Sequence, residues 1–185
     1  GYEGYLNERV LSLPERLRDL GYRNYMTGKW DHGLKPEHGP AQRGFDRSFA
    51  LIPGVGNHFS GQEFELGFPP PSLYREDGKP VDKLPPDFYS TRYYTDKLLA
   101  YLRRDETDDR PFFAYISYTA PHFPIQVPED LLHRFQGVYD EGYNAIAQGR
   151  LERILALELL SELPDISSEY TWPDGSRMPK FVQRV

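Results

Sequence analysis

The chain of 185 residues contains no cysteine. A disulfide framework and a metal site built from thiolates are therefore both excluded. No apolar run approaches the roughly 20 residues that a membrane-spanning helix needs, and no signal peptide is recognisable. The formal charge of -6 gives no general electrostatic reason to expect nucleic-acid binding. We therefore expect neither a membrane nor a nucleic acid as a partner. The lack of cysteine slightly favours a cytoplasmic location, which is otherwise open.

Glycine and proline are abundant instead, with 16 and 17 residues, while hydrophobic residues make up 38% of the chain. This hydrophobic content is below the usual range of about 45–50% and indicates many loops. The 14 tyrosines and 11 phenylalanines argue against a disordered chain, and the length suits one domain. Residues 161–185 lack periodicity, so we expect an irregular tail there. Because the first residue is Gly1, we expect a fragment or, alternatively, a processed mature chain.

Two helices, each followed by a strand, are predicted from the sequence. Ser12 and Glu15 have the spacing of a capping box, which predicts a helix that begins after Ser12 and leads to a strand at 22–28. A second helix is expected to begin at Ser90 or Thr91, and the aromatic run 111–118 predicts a buried strand. Repetition of this order favours an α/β fold with a parallel sheet and helices packed against it.

Two further segments complete the prediction. Residues 33–87 are rich in glycine and proline, and a connection of this length without regular structure is usually functional or disordered. A third helix is predicted over residues 140–160 from its apolar positions.

Polar residues follow both predicted strands at their carboxyl ends. Lys29, Asp31 and His32 come at the end of the first strand, and His122 follows the second. In open α/β sheets, ligands bind in the crevice outside the carboxyl ends of the strands. Because parallel strands end at the same edge, we expect Lys29 and His122 to lie near each other.

Several short motifs, taken with their order and spacing, resemble the sulfatase family of the alkaline-phosphatase superfamily. The resemblance is strongest to its bacterial and fungal arylsulfatase branch, and the motifs include Gly28-Lys29-Trp30, Arg43-Gly44-Phe45-Asp46, Gly56-Asn57-His58-Phe59 and Ala120-Pro121-His122. It implies a three-layer sandwich with a mostly parallel sheet, as part of an incomplete alkaline-phosphatase-like domain. Residues 1–160 are accordingly interpreted as a partial N-terminal catalytic domain. The implied activity is that of an arylsulfatase, the hydrolysis of a small-molecule sulfate ester.

The resemblance also implies roles for individual residues. Lys29 would contact the sulfate and the oxygen of the nucleophile, and His122 would bind the sulfate and protonate the departing oxygen. The family has histidine at the position of Asp31, so the adjacent His32 is a candidate partial substitute in catalysis. By the resemblance, His58 lies in a loop that borders the substrate pocket in this branch, and it is a candidate for substrate binding. Without the resemblance, Lys29 would be interpreted as a surface lysine, and His122 would fit a turn histidine as well as a functional one.

We expect neither the family's nucleophile nor its metal ligands in this chain. The nucleophile is a formylglycine made from cysteine or serine in a Cys/Ser-X-Pro/Ala-X-Arg motif, and paired acidic residues hold calcium or magnesium. Asp108-Asp109 precedes a strand and is expected to face away from the site. We therefore expect formylglycine and the metal ion to belong to the complete parent, and the chain alone to be inactive.

Two alternatives remain open. The chain could be a noncatalytic or degenerate remnant that binds an anion, or part of a phosphate or phosphonate monoester hydrolase of the same superfamily.

Overall fold

A computed structural model describes residues 3–60 and 74–161 of the chain. The chain divides into two compact units, Gly1–Val127 and Pro128–Val185. The predicted tail, apart from Ser161, lies outside the described residues. Within the described part, no helix is both long and apolar enough to cross a membrane.

The first unit is built on a five-stranded sheet in the order β4-β3-β2-β1-β5. Both neighbours of β1 run parallel to it, whereas β3 and β4 are added in antiparallel orientation. The predicted mostly parallel α/β sheet is therefore confirmed. The strands are β1 (Arg23–Lys29), β2 (Arg47–Leu51), β3 (Tyr74–Glu76), β4 (Lys79–Pro80) and β5 (Phe112–Ser117).

The two predicted helices of this unit are α1 (Leu13–Asp19) and α2 (Ser90–Arg104). The capping box before α1 is present: the Ser12 amide donates to the Glu15 carboxylate at 2.7 Å, and the Glu15 amide donates to Ser12 Oγ at 3.5 Å. This reciprocal pair satisfies two of the backbone groups that a helix start leaves unpaired.

Successive residues of β1 point to opposite faces of the sheet, and a helix packs against each face. Tyr25 belongs to a buried aromatic cluster that includes Tyr94 and Tyr101 of α2. Met26 belongs to a second cluster with Trp30, Phe45, Ala50 and Ile52. On the same face as Met26, the side-chain amide of Asn24 donates from Nδ2 to the carbonyl of Pro14 in α1 at 2.8 Å. The result is the helix–sheet–helix layering that was expected.

The long connection between the two helix–strand units is more regular than expected. It contains two short 3-10 helices, Pro36–His38 and Pro40–Gln42, and three of the five strands. The interpretation of residues 33–87 as a connection without regular structure is therefore wrong. Five residues of β2 are enough to form a parallel ladder with β1, from Arg47 opposite Tyr25 to Leu51 opposite Lys29.

The second unit is helical in its described part. It contains α3 (Glu129–Leu132), a 3-10 turn (His133–Phe135) and α4 (Gly142–Ala156). The helix predicted at 140–160 is thus present with narrower bounds.

Candidate functional site

The candidate site is a cleft in the first unit at the carboxyl ends of β1 and β5. Gly28 and Ser117 are register partners in these parallel strands, so the chain leaves both strands at one edge. The cleft has a volume of about 250 Å³ and is lined by Lys29, Asp31, Gly54, Val55, His122 and Phe123. The expectation that Lys29 and His122 lie near each other is therefore confirmed.

Lys29 supplies the positive charge of this cleft. It is the last residue of β1, and about a quarter of its side chain is exposed. Its Nζ lies 3.4 Å from Asp31 Oδ2, and the Asp31 side chain is about half exposed. This partial exposure makes the pair a weak one, since water screens both charges.

Asp31 owes its position to an uncommon backbone conformation. Its φ is +56°, in the left-handed region that asparagine, aspartate and histidine enter more readily than other non-glycine residues. Its amide donates to the carbonyl of Ile52 at 3.1 Å. A Cβ at Gly54 would approach the Asp31 carboxylate within 2.6 Å, so the missing side chain of Gly54 makes room for this carboxylate.

His122 lies on the loop that follows β5, between the cis bonds Ala120-Pro121 and Phe123-Pro124. Its amide donates to the carbonyl of Thr119 at 2.9 Å. Its ring Nδ1 is 2.7 Å from the carbonyl oxygen of Phe123. Because a carbonyl only accepts, Nδ1 carries the proton of this bond. Nε2 is then the atom that can accept a proton or, once protonated, donate one.

His32, the second candidate for catalysis, does not join this cleft. Its side chain is exposed, and its ring meets the ring of Trp30 edge-on with 5.0 Å between the centroids. The backbone carbonyl of His32 accepts from the Leu6 amide, which joins this residue to the N-terminal segment of the chain. The structure thus brings Lys29 and His122 together and leaves His32 outside.

His58, the further candidate for substrate binding, is buried. Only 2% of the residue is exposed, and Nδ1 lies 2.6 Å from Ser90 Oγ at the start of α2. Burial lowers the pKa of His58 below its ordinary value, and the neighbouring His122 lowers it further, against a hydrogen bond to the His122 backbone that favours protonation. His58 is therefore buried and does not line the cleft.

The cleft also contains residues that sequence reasoning did not identify. Gly54 and Val55 follow β2, and Phe123 follows His122. Because β2 itself was not predicted, the sequence held no signal that its end lies beside Lys29.

Among the described residues, no three histidine, cysteine or acidic side chains lie close enough together to hold a metal ion. Asp108 pairs with Arg110 at 2.7 Å and lies before β5, at the amino end of the sheet. The expectation that Asp108 faces away from the site is confirmed.

The cleft can therefore hold a small anion between an ammonium group and an imidazole. Lys29 offers several donors on a compact cation, and an imidazole can exchange a proton near neutral pH. Asp31 opposes anion binding, because its carboxylate lies at the same opening.

Comparisons with known proteins point to one family. The profile of the Sulfatase family matches residues 2–170. An uncharacterized sulfatase of Schizosaccharomyces pombe is 43% identical over 167 residues, which cover 88% of this chain and 30% of that protein. An arylsulfatase of Klebsiella aerogenes is 35% identical over an alignment of 194 positions, covering the whole of this chain and 41% of that enzyme. The chain thus spans well under half the length of these relatives.

Solved structures share the fold. The crystal structure of Ps i-CgsB in complex with k-i-k-neocarrahexaose matches with a TM-score of 0.62 at 24% identity, over 73% of this chain and 32% of that one. The structure of BT4656 in complex with D-glucosamine-2-N,6-O-disulfate matches with a TM-score of 0.52 at 25% identity, over 74% and 24% of the two chains.

Proposed function

Because the chain belongs to the sulfatase family, we propose that it is part of the catalytic domain of an enzyme that hydrolyses sulfate esters. The reaction is R–O–SO3⁻ + H2O → R–OH + HSO4⁻. One observation carries the proposal: Lys29 and His122 share a cleft at the carboxyl ends of β1 and β5. The length of the chain supports its interpretation as part of a larger catalytic domain, since it spans 41% of the Klebsiella arylsulfatase.

In this proposal Lys29 binds oxygens of the sulfate group. Charge-assisted hydrogen bonds from an ammonium group are the stronger kind, and they strengthen as negative charge develops on the anion. His122, once protonated at Nε2, donates to the oxygen of the departing alcohol or phenol. The bond from His122 Nδ1 to the Phe123 carbonyl, 2.7 Å long, orients the ring for this role.

Sulfatases generally use a formylglycine nucleophile and a divalent metal ion. The described residues do not fit the metal ion, because no cluster of three or more suitable side chains is present among them. The sequence also contains no cysteine. Its one Ser-X-Pro-X-Arg stretch, residues 12–16, lies at the start of α1, where Ser12 caps the helix and does not line the cleft. We therefore derive no step through either group and propose that both belong to other parts of the complete protein.

Asp31 is the feature that fits a sulfatase least well. Its carboxylate lies 3.4 Å from Lys29 Nζ and lowers the positive potential that an incoming sulfate meets. This supports the second candidate function, a noncatalytic protein that binds an anion weakly. A phosphate or phosphonate monoester hydrolase is the third candidate, since the same cleft chemistry suits either oxyanion.

Replacing Lys29 with alanine tests the proposal in the complete protein. Because the ammonium group binds the sulfate most strongly in the transition state, we expect Lys29→Ala to lower kcat/KM for 4-nitrophenyl sulfate about 10²–10³-fold, measured with calcium present. Lys35→Ala is the matched control, because Lys35 is exposed and its Nζ lies 4.0 Å from Glu37. It should leave kcat/KM unchanged.

The same assay separates the alternatives. The chain of 185 residues alone should give no turnover. Turnover that survives Lys29→Ala would refute the role of Lys29. Complete protein that is inactive on every ester would favour the anion-binding remnant, and preference for 4-nitrophenyl phosphate would favour the phosphoesterase.

A further inference from the structure

The Asp31 carboxylate is held in place at the opening of the cleft. The residue has φ +56°, and its amide donates to the carbonyl of Ile52 at 3.1 Å. Both carboxylate oxygens lie against Gly54, since a Cβ built on that glycine would come within 2.6 and 2.7 Å of them. The segment after β2 therefore leaves room for a negative charge beside Lys29, where a site for a simple anion gains nothing from one.

Lys29 balances the charge of Asp31. Its Nζ lies 3.4 Å from Asp31 Oδ2, and in the described part of the chain Asp31 has no other ion-pair partner. The third ionisable group that lines the cleft is the His122 imidazole. An anion that binds the ammonium group of Lys29 competes with Asp31 for it and leaves the carboxylate unpaired. The unpaired carboxylate then repels the bound anion, although water screens part of this repulsion.

A ligand that carries its own cation restores the balance. An ammonium group can donate charge-assisted hydrogen bonds to the carboxylate that the sulfate leaves unpaired. Because Lys29 Nζ and Asp31 Oδ2 are only 3.4 Å apart, the ammonium nitrogen has to lie within a few bonds of the sulfate. A neutral hydroxyl could also donate to the carboxylate, but it would leave the negative charge of the complex uncompensated.

The remaining walls of the cleft suit a short apolar link between the two charges. Val55 and Phe123 line the cleft, whose volume is about 250 Å³. This is below the roughly 300–1,000 Å³ of sites for drug-sized ligands. A sulfate group, a short carbon chain and an ammonium group are therefore a better match in size than a large ester.

We propose that Asp31 selects zwitterionic ligands, namely small sulfate esters with an ammonium group a few bonds from the sulfate. This inference rests on the proposed function, because it names a substrate class for the cleft of Lys29 and His122. Lys29 binds the sulfate, and Asp31 binds the ammonium group. Asp31 is thus a specificity-determining residue, and the charge that favours zwitterions also disfavours simple anions.

Three esters of similar size separate the effect of charge from that of hydrogen bonding. n-Propyl sulfate is an anion with an apolar end, 2-hydroxyethyl sulfate adds a neutral donor, and 2-aminoethyl sulfate adds an ammonium group. Each is titrated into the isotope-labelled chain of 185 residues at equal ionic strength and neutral pH. NMR of the Lys29 ammonium group and the His122 ring gives the Kd of each ester.

Two variants locate the origin of any preference. Asp31→Asn removes the charge and keeps a residue suited to φ +56°. Glu37→Gln is the matched control, because Glu37 is an exposed acid whose carboxylate lies 4.0 Å from Lys35 Nζ and does not line the cleft. Both variants change the net charge of -6 by the same amount, so a general effect of that charge would appear in both.

We expect the wild-type chain to bind 2-aminoethyl sulfate about three- to fivefold more tightly than either other ester, as a partly exposed charge pair allows. Asp31→Asn should lose this preference and bind n-propyl sulfate more tightly than the wild type does, while Glu37→Gln should keep the preference. Equal affinities of the wild-type chain for the amino and hydroxy esters would overturn the proposal. A preference that survives Asp31→Asn, or that Glu37→Gln also loses, would overturn it as well.

The outcomes keep this inference separate from the proposed function. Saturable binding of all three esters with equal Kd would contradict the selection of zwitterions and leave the sulfate cleft intact. No response of Lys29 and His122 to any ester would contradict the sulfate cleft and the inference together. The comparison of esters on the wild-type chain needs no variant, so it decides even if Asp31→Asn does not fold.

Discussion

Gly28→Ala should destabilise the first unit by more than about 4 kcal/mol, a loss reserved for severe backbone conflicts. Gly28 has φ +108°, and a Cβ built there would lie 2.0 Å from the carbonyl oxygen of Ser117 and 2.7 Å from its carbon. Both atoms belong to the backbone of the neighbouring strand, so no side chain can move aside. The strands β1 and β5 would have to separate at the edge that holds Lys29 and His122.

Gly21→Ala is the matched control for this effect. Gly21 has a comparable φ of +83°, but nothing lies within 4 Å of its added Cβ. It should cost only the backbone strain of a left-handed alanine, about 1–2 kcal/mol. Hydrogen exchange of the β1 amides measures both losses for this unit. Equal losses in the two variants would contradict the close approach of Gly28 to Ser117.

Arg43→Leu should cost about 3–5 kcal/mol, because it leaves a partly buried carboxylate and several carbonyls without their donor. The Arg43 guanidinium donates to the carbonyls of Leu6 and Val10, each at 2.8 Å, and to that of Asn7 at 3.1 Å. It also lies 3.2 Å from Glu15 Oε2, with 6% of its side chain exposed. A single side chain thus fixes the N-terminal segment to α1.

Arg9→Leu provides the comparison, since Arg9 also pairs with a glutamate. Arg9 lies 2.6 Å from Glu3, closer than Arg43 lies to Glu15, but 77% of its side chain is exposed. An exposed pair contributes about 0–1 kcal/mol, so Arg9→Leu should be nearly neutral. Hydrogen exchange of the β1 amides measures the loss of unfolding free energy in both arginine variants. If Arg9→Leu cost as much as Arg43→Leu, burial would not be what makes Arg43 important.

The sequence predicted those helices and strands that are marked by a short local pattern, such as a capping box or an aromatic run. The capping box of Ser12 and Glu15 marked α1, and the aromatic run 111–118 marked β5. The strand β2 was not predicted because five residues are too few to show a clear alternation of apolar and polar side chains. It is stabilised by its parallel pairing with β1. Its hydrogen bonds come from a strand about 20 residues earlier in the chain, which no local pattern contains.

The candidate site divides in the same way. Lys29 and His122 were predictable because strand ends in a parallel sheet share an edge. Arg43 pairs with Glu15, far along the chain, and not with its neighbour Asp46, which accepts from the backbone amide of Asn24 at 2.7 Å. The burial of His58 could not be foreseen from local sequence, because its partners Ser90 and Gln126 lie far along the chain. Contacts between distant segments decide which histidine lines the cleft.

A sulfate titration tests most directly whether Lys29 and His122 form one anion-binding cleft. Sodium sulfate is added to the labelled chain against sodium chloride at equal ionic strength, while NMR follows the ring of His122 and the ammonium group of Lys29. The exposed His133, whose Nε2 lies 3.9 Å from Glu129, serves as the internal control.

We predict saturable shifts at Lys29 and His122 but not at His133. Lys29→Ala should abolish the shift at His122. Asp31→Asn, which keeps a residue suited to φ +56° but removes the charge 3.4 Å from Lys29, should strengthen binding about tenfold. Equal shifts at His122 and His133, or a His122 response that Lys29→Ala leaves intact, would contradict the shared cleft.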